Sequence, residues 1–138
     1  AQAVDWIPES LYQIVQAAFH HRGLSFVRVL QRCPEFVGNM FEPWVHDPQR
    51  MLMLTHANGI KVSPALQTIY RNQVEHDPSN IDRAREIASS EDPIPVGILY
   101  RNPEVPCYED LRRAGMLRTV GSIRSTLESE FDKFTVWP

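Results

Sequence analysis

From Pro8 the apolar positions recur with helical spacing. Leu11, Ile14, Val15, Ala18 and Phe19 fall at i, i+3, i+4, i+7 and i+8, which predicts a helix that buries one face. Pro8 and Glu9 suit its first turn, and His20, His21 and Arg22 suit its last, where cations meet the negative end of the helix dipole. Gly23 fits the left-handed position beyond it. The period then changes. Ser25 to Gln31 is rich in β-formers with apolar residues on both faces, the pattern of a strand covered on both sides in a parallel sheet. Helix, glycine and buried strand make the second half of a βαβ unit. Pro34 cannot donate a ladder hydrogen bond, so the strand is expected to stop near Arg32-Cys33, placing Cys33 at its carboxyl end. Open α/β sheets gather their ligands outside those ends.

Downstream the pattern is helical and heavily punctuated. Glu35 to Pro48 reads as a long loop whose Phe36, Phe41 and Trp44 need a cover, from a partner surface or from the chain itself. Asp47 is expected to cap a short helix with Pro48 at its first position, running through Met51, Leu52 and Leu54 to a stop at Asn58-Gly59. Ser63-Pro64 starts another, with Leu66, Ile69, Tyr70 and Gln73 on a narrow stripe, closed by Asp77-Pro78. A further helix is expected from about Asn80 to Ser89, with Ile81, Ala84, Ile87 and Ala88 inward. Val96 to Tyr100 is a short strand candidate ended by Asn102-Pro103. Tyr108 to Ala114 suits a short helix, and Thr119 or Ser122 starts a last one with Val120, Ile123, Leu127, Phe131 and Phe134 on one stripe. The Pro-rich stretch from Pro93 to Pro106 reads as a wrapping arm.

Composition narrows the function. A chain of 138 residues, 43% hydrophobic, suffices for one domain or part of a larger one. The net charge of −3 and interspersed charges provide no basic stripe for phosphates, which argues against nucleic acid. No apolar run approaches the ~20 residues that span a bilayer, and no signal-peptide layout opens the chain; a cytoplasmic protein is the expectation. Its opening on Ala1, in what reads as mid-domain sequence, suggests a fragment or processed product. The two cysteines lie far apart, so any metal site needs ligands from elsewhere, and a reducing compartment argues against a disulfide.

The block Ala17-Ala18-Phe19-His20-His21-Arg22-Gly23-Leu24-Ser25-Phe26-Val27-Arg28-Val29-Leu30-Gln31-Arg32-Cys33-Pro34 resembles the beta (thiamine diphosphate-binding) subunits of 2-oxoacid:ferredoxin oxidoreductases, in their carboxyl-terminal half. There a helix ending in His-Lys-Gly leads into a buried strand that ends in Cys-Pro. Thr55-His56-Ala57-Asn58-Gly59-Ile60 and Pro95-Val96-Gly97-Ile98-Leu99-Tyr100 are similar to segments that follow that strand. The resemblance implies an α/β fold: residues 1–45 as the end of the thiamine diphosphate-binding parallel-sheet domain, and 46–138 as a helical, Pro-rich carboxyl-terminal segment and arm of the same subunit. It implies oxidative decarboxylation of a 2-oxoacid to acyl-CoA, with electrons passing through a 4Fe-4S cluster to ferredoxin. The implied cofactors are thiamine diphosphate, Mg2+ and that cluster; the implied partners are an alpha subunit, the amino-terminal half of the beta subunit, ferredoxin, the 2-oxoacid and coenzyme A. Three cluster cysteines belong to the amino-terminal half, and Cys33 matches the fourth, a soft thiolate ligand suited to iron.

Two departures qualify the likeness. Pro34 is followed by Glu35-Phe36-Val37 rather than a Thr-Tyr-Asn-like run, and neither the Gly-Asp-Gly motif for magnesium and diphosphate nor the Cys-rich amino-terminal motif is present. This chain alone is therefore expected to be non-catalytic. Without the resemblance, Cys33 reads as a small packed residue. Cys107 reads as structural, His20 and His21 as helix-end charges, and His56 as a loop histidine held by hydrogen bonds. His46 and His76 are expected to be exposed and without a role, and Glu35 and Glu42 to be surface carboxylates. The alternatives to a redox enzyme are a non-catalytic interaction module that retains the fold, and a small zinc-binding regulator using Cys33 and nearby histidines.

Overall fold

The computed structural model describes residues 1–57, 59–113 and 120–134, with backbone only at Val120. It divides into two compact units, Ala1–Val105 and Pro106–Pro138. In the first unit β1 (Gln2–Val4), α1 (Pro8–His20) and β2 (Arg28–Leu30) form a βαβ unit with parallel strands, Gln2 opposite Arg28 and Val4 opposite Leu30. The expected α/β class holds. The short helix α2 (Glu42–Val45) lies in the loop that follows. Gly23 lies at φ +113, the conformation that favours glycine there.

The next segment departs from expectation. Asp47 does cap: its carboxylate accepts from the Gln49 N–H at 3.0 Å. But Pro48–Arg50 makes a single 3₁₀ turn, and Met51–Thr55 is a strand, β3, rather than a helix. Met51, Met53 and Leu54 are buried, so the run carries apolar side chains on both faces. Such a run suits a central parallel strand, and periodicity alone cannot separate it from a buried helix. β3 pairs in parallel with β4 (Gln73–Glu75) and with β5 (Ile94–Val96), giving the order β4-β3-β5. The crossovers are α3 (Pro64–Ile69) and α4 (Ile81–Ala88). α3 is shorter than its expected stripe, Ile69 is exposed, and Gln73 belongs to β4. α4 matches expectation: Asn80 caps it by accepting from the Arg83 N–H at 2.9 Å, and Ala84 and Ile87 are buried, although Ile81 and Ala88 are exposed.

β5 sits upstream of the expected strand, so the start of the supposed Pro-rich arm is core. Gly97 then joins the two sheets. It exchanges two backbone hydrogen bonds of 2.9 Å with Gln2, whose side-chain amide donates to the Pro95 carbonyl at 2.8 Å. Ala3, Val4, Ile7, Ile14, Met51, Met53 and Val96 form one buried cluster under both sheets.

β2 differs most from expectation. It is three residues long, not seven, and Phe26 and Val29 are exposed rather than covered. α1 buries Ile14 and Ser10, while Val15 and Phe19, which periodicity places inward, face outward. The second unit contains α5 (Tyr108–Arg113) and α6 (Val120–Asp132); Ile123, Leu127, Phe131 and Phe134 are exposed. Ala114 and Thr119, expected as helix ends, lie outside the described residues. No helix among the described residues is long and apolar enough to cross a membrane.

Gly97 gives the clearest stability test. Its φ is +144, and a Cβ there would lie 2.7 Å from the Leu54 Cβ. Gly97→Ala is expected to lose at least ~2 kcal/mol, from backbone strain and overpacking together, measured as a lowered urea midpoint.

Candidate functional site

The candidate site is the carboxyl end of the β1-β2 pair. Asp5 follows β1 and holds the chain just before Cys33 in two ways: its carboxylate accepts from the Arg32 backbone N–H at 3.2 Å and from the Arg32 Nε at 3.0 Å. The Asp5 N–H in turn donates to the Leu30 carbonyl at 3.1 Å, extending the parallel register past the strand end. Cys33 comes next, half-buried, with its carbonyl accepting from the Val37 N–H at 2.9 Å. The residue before the thiol is thus tied to a neighbouring strand, and the residue itself closes a turn over Pro34.

An aromatic and cationic series continues from this point across the loop. The Arg32 guanidinium lies 5.9 Å from the Trp6 ring centroid, Trp6 meets Phe41 at 5.7 Å, and Phe41 meets Trp44 edge-on at 6.3 Å. Arg50 lies 4.7 Å over Trp44 and pairs with Asp92 at 2.7 Å, and the Trp44 Nε1 donates to Asp92 at 3.3 Å. Phe41 and Trp44 are therefore covered by the chain's own residues, whereas Phe36 is 91% exposed. The Arg50 hydrogen bonds hold the Asp92 carboxyl below its ordinary range, and the same contacts raise the guanidinium. Between loop and strand end lies an open cleft of about 270 Å³, lined by Arg32, Pro34, Asn39, Phe41, Glu42 and His46 among others.

Among the described residues no group of three or more His, Cys, Asp or Glu side chains could hold a metal ion. Cys33 is a free thiol, and it fits a cluster only as a single ligand beside others from another chain or segment. Cys107, also free and half-buried, lies in the second unit and donates to the Glu109 carboxylate at 2.7 Å, which lowers that carboxyl. His20, His46, Glu35 and Glu42 are all exposed, as expected, and His46 and Glu42 line the cleft.

The sequence pattern misplaces a second constellation. His76, expected to be exposed, is 3% exposed and sits immediately after β4. His56, after β3, is 4% exposed, and the two rings meet at 5.9 Å. His56 is held by hydrogen bonds, as its loop position suggests: its Nδ1 donates to the His76 carbonyl at 2.8 Å. His56 had a signal, since it directly follows the apolar run Met51–Leu54 and Thr55, whereas Gln73-Val74-Glu75 before His76 carries none.

Residues 66–114 match the family model for the C-terminal part of the pyruvate ferredoxin oxidoreductase beta subunit. The matched segment runs from α3 through β4, α4 and β5 to α5, and lies beyond the Cys33 block. No curated protein and no solved structure matched the chain. The match agrees with the family that the sequence resembles.

The Asp5 clasp is open to a direct test. In a Cys107→Ser background, Asp5→Ala is expected to speed alkylation of Cys33 severalfold, read by intact mass over time, because the segment before the thiol loses both carboxylate contacts.

Proposed function

We propose that this chain, whose residues 66–114 match the family model for the C-terminal part of the pyruvate ferredoxin oxidoreductase beta subunit, serves as the cluster-proximal part of a 2-oxoacid:ferredoxin oxidoreductase. The match over residues 66–114 carries this reading. In it, the chain contributes Cys33 as one thiolate ligand of a 4Fe-4S cluster, and a thiamine diphosphate- and Mg2+-binding segment, an alpha subunit, coenzyme A and ferredoxin complete the enzyme. The cluster, when bound, supplies one-electron transfer away from the 2-oxoacid carbon.

The chain's own residues have a positional role. Asp5 fixes Arg32, Arg32 covers Trp6, and the turn from Cys33 to Val37 presents the thiol at the strand's carboxyl end. Partner chains are supported by exposed apolar side chains flanking the thiol in sequence: Phe19 at 83%, Leu24 at 93%, Phe26 at 77% and Phe36 at 91%. Burying a side chain of that size is worth about 1.5–3 kcal/mol, so these four favour association strongly.

The test is anaerobic purification of the protein with its native partner chains, with iron and labile sulfide measured. About four irons per complex, with most of that iron and its visible absorbance lost in Cys33→Ser, is the expected result. A stable partnered complex with no iron would overturn the redox reading and leave a non-catalytic interaction module. Zinc bound by this chain alone would instead support the small regulator.

A further inference from the structure

His56 and His76 do more than pack. The three parallel strands β4, β3 and β5 end at one edge of their sheet, and the two imidazoles tie those ends in series. From the end of β3, His56 Nδ1 donates to the His76 carbonyl at 2.8 Å; from the end of β4, His76 Nε2 donates to the Leu99 carbonyl, beyond β5, at 2.7 Å. Backbone bonds reinforce both links: the His76 N–H reaches the Thr55 carbonyl at 2.9 Å, and the Arg101 N–H reaches the Pro78 carbonyl at 2.8 Å. The His56 N–H, bonded to the Ile60 carbonyl at 3.1 Å, closes the turn that follows β3.

A carbonyl oxygen only accepts, so each linking nitrogen carries a proton. In the neutral rings His56 is therefore the Nδ1–H tautomer and His76 the Nε2–H tautomer. The remaining nitrogens, His56 Nε2 and His76 Nδ1, are buried and have no partner among the described residues. A bare lone pair is tolerated there. A proton on His56 Nε2 creates a buried cation whose new N–H has no acceptor among the described residues, with the His76 ring 5.9 Å away.

We propose that the His56–His76 pair is an acid-sensitive latch on the carboxyl edge of the β4-β3-β5 sheet: with His56 neutral, it clamps the turn after β3 and the segment after β5; with His56 protonated, it releases them. The charged groups acting on His56 are His76 and Asp77. Asp77 favours the cation, but its carboxylate is exposed and accepts from the Ser79 N–H and hydroxyl, and burial of the His56 ring is the larger influence. The His56 imidazole is accordingly held below its ordinary value of 6.5. The folded chain then binds fewer protons than the unfolded chain in mildly acid solution. The latch contributes fully above 6.5, and its contribution is lost as pH falls below that value towards the depressed one. This inference concerns a different edge from Cys33 and stands apart from the redox reading.

The test is amide hydrogen exchange of the whole chain, corrected for intrinsic rates, at about pH 7.5 and about pH 5.5. Exchange in the His56 to Ile60 turn and from Gly97 to Arg101 is expected to rise about tenfold at the lower pH, while α1 stays unchanged. In His56→Asn/His76→Gln the amides replace the Nδ1–H and Nε2–H donors and cannot titrate, so the links persist and the pH response disappears. A flat wild type, or a double variant as pH-sensitive as the wild type, would overturn the proposal. So would zinc co-purifying at one per chain and lost in the double variant, since the bare nitrogens would then be ligands. If the double variant does not fold, imidazole nitrogen NMR of the wild type decides: the opposite tautomer at either ring, or His56 titrating at or above 6.5, sinks the latch, and the assigned pair with His56 titrating below that ordinary value supports it.

Discussion

The structure depends on β3 having a parallel neighbour on each edge. Parallel strands cannot be joined by tight hairpins, so each pairing brings a crossover, and α3 and α4 are those crossovers. Burial follows, because Met51 and Met53 point one way along the strand and Leu54 the other, and all three are shielded. So does the role of Gly97, which lets the chain leaving β5 pass against Leu54 and bond Gln2 of the neighbouring sheet. A parallel arrangement also places every strand's carboxyl end on one edge. That is why His56, His76 and Leu99, far apart in sequence, meet there.

The helices are the most legible part of the sequence. α1 and α4 are long enough for periodicity, and their ends are marked chemically, by Pro8 and Gly23 in one and by Asn80 in the other. The short strands are not. Three residues, as in β4 and β5, are too few to establish a period of two, and Met51–Thr55 carries no alternation because both its faces are buried. Asp47 and Pro48 then make a helix the natural reading, although the same cap serves a single 3₁₀ turn. His76 is misplaced for the same reason: with β4 read as the tail of a helix, nothing marks the next residue as a buried strand end.

The candidate site is legible in its chemistry but not in its supports. Cys33 and Pro34 mark the end of a strand in any reading, and the structure places them three and four residues past Leu30, the last residue of β2. Asp5 carries no signal, since a carboxylate among the first residues of a chain looks like any other. Its function appears only once β1 and β2 lie side by side and the carboxylate meets Arg32. The Arg50–Asp92 pair is similar, joining residues 42 positions apart across the base of the aromatic loop. Exposed ion pairs contribute little by themselves, and this one gains its effect from the Trp44 ring and indole N–H that share it.

The contrast between the two sheets indicates how the molecule divides its tasks. β3 is closed on both edges and both faces, so that half of the first unit is complete within the chain. β2 has one described partner, and the segments beside it expose Phe19 and Phe26 where the sequence pattern calls for cover. An apolar strand pattern without its cover is evidence about the sequence's proper surroundings, because such a pattern is stable only where both faces are buried. The thiol of Cys33 lies at the end of that open half. A lone thiol on the more open side of a fold is better placed for chemistry shared with another surface than for a site that one chain must build alone.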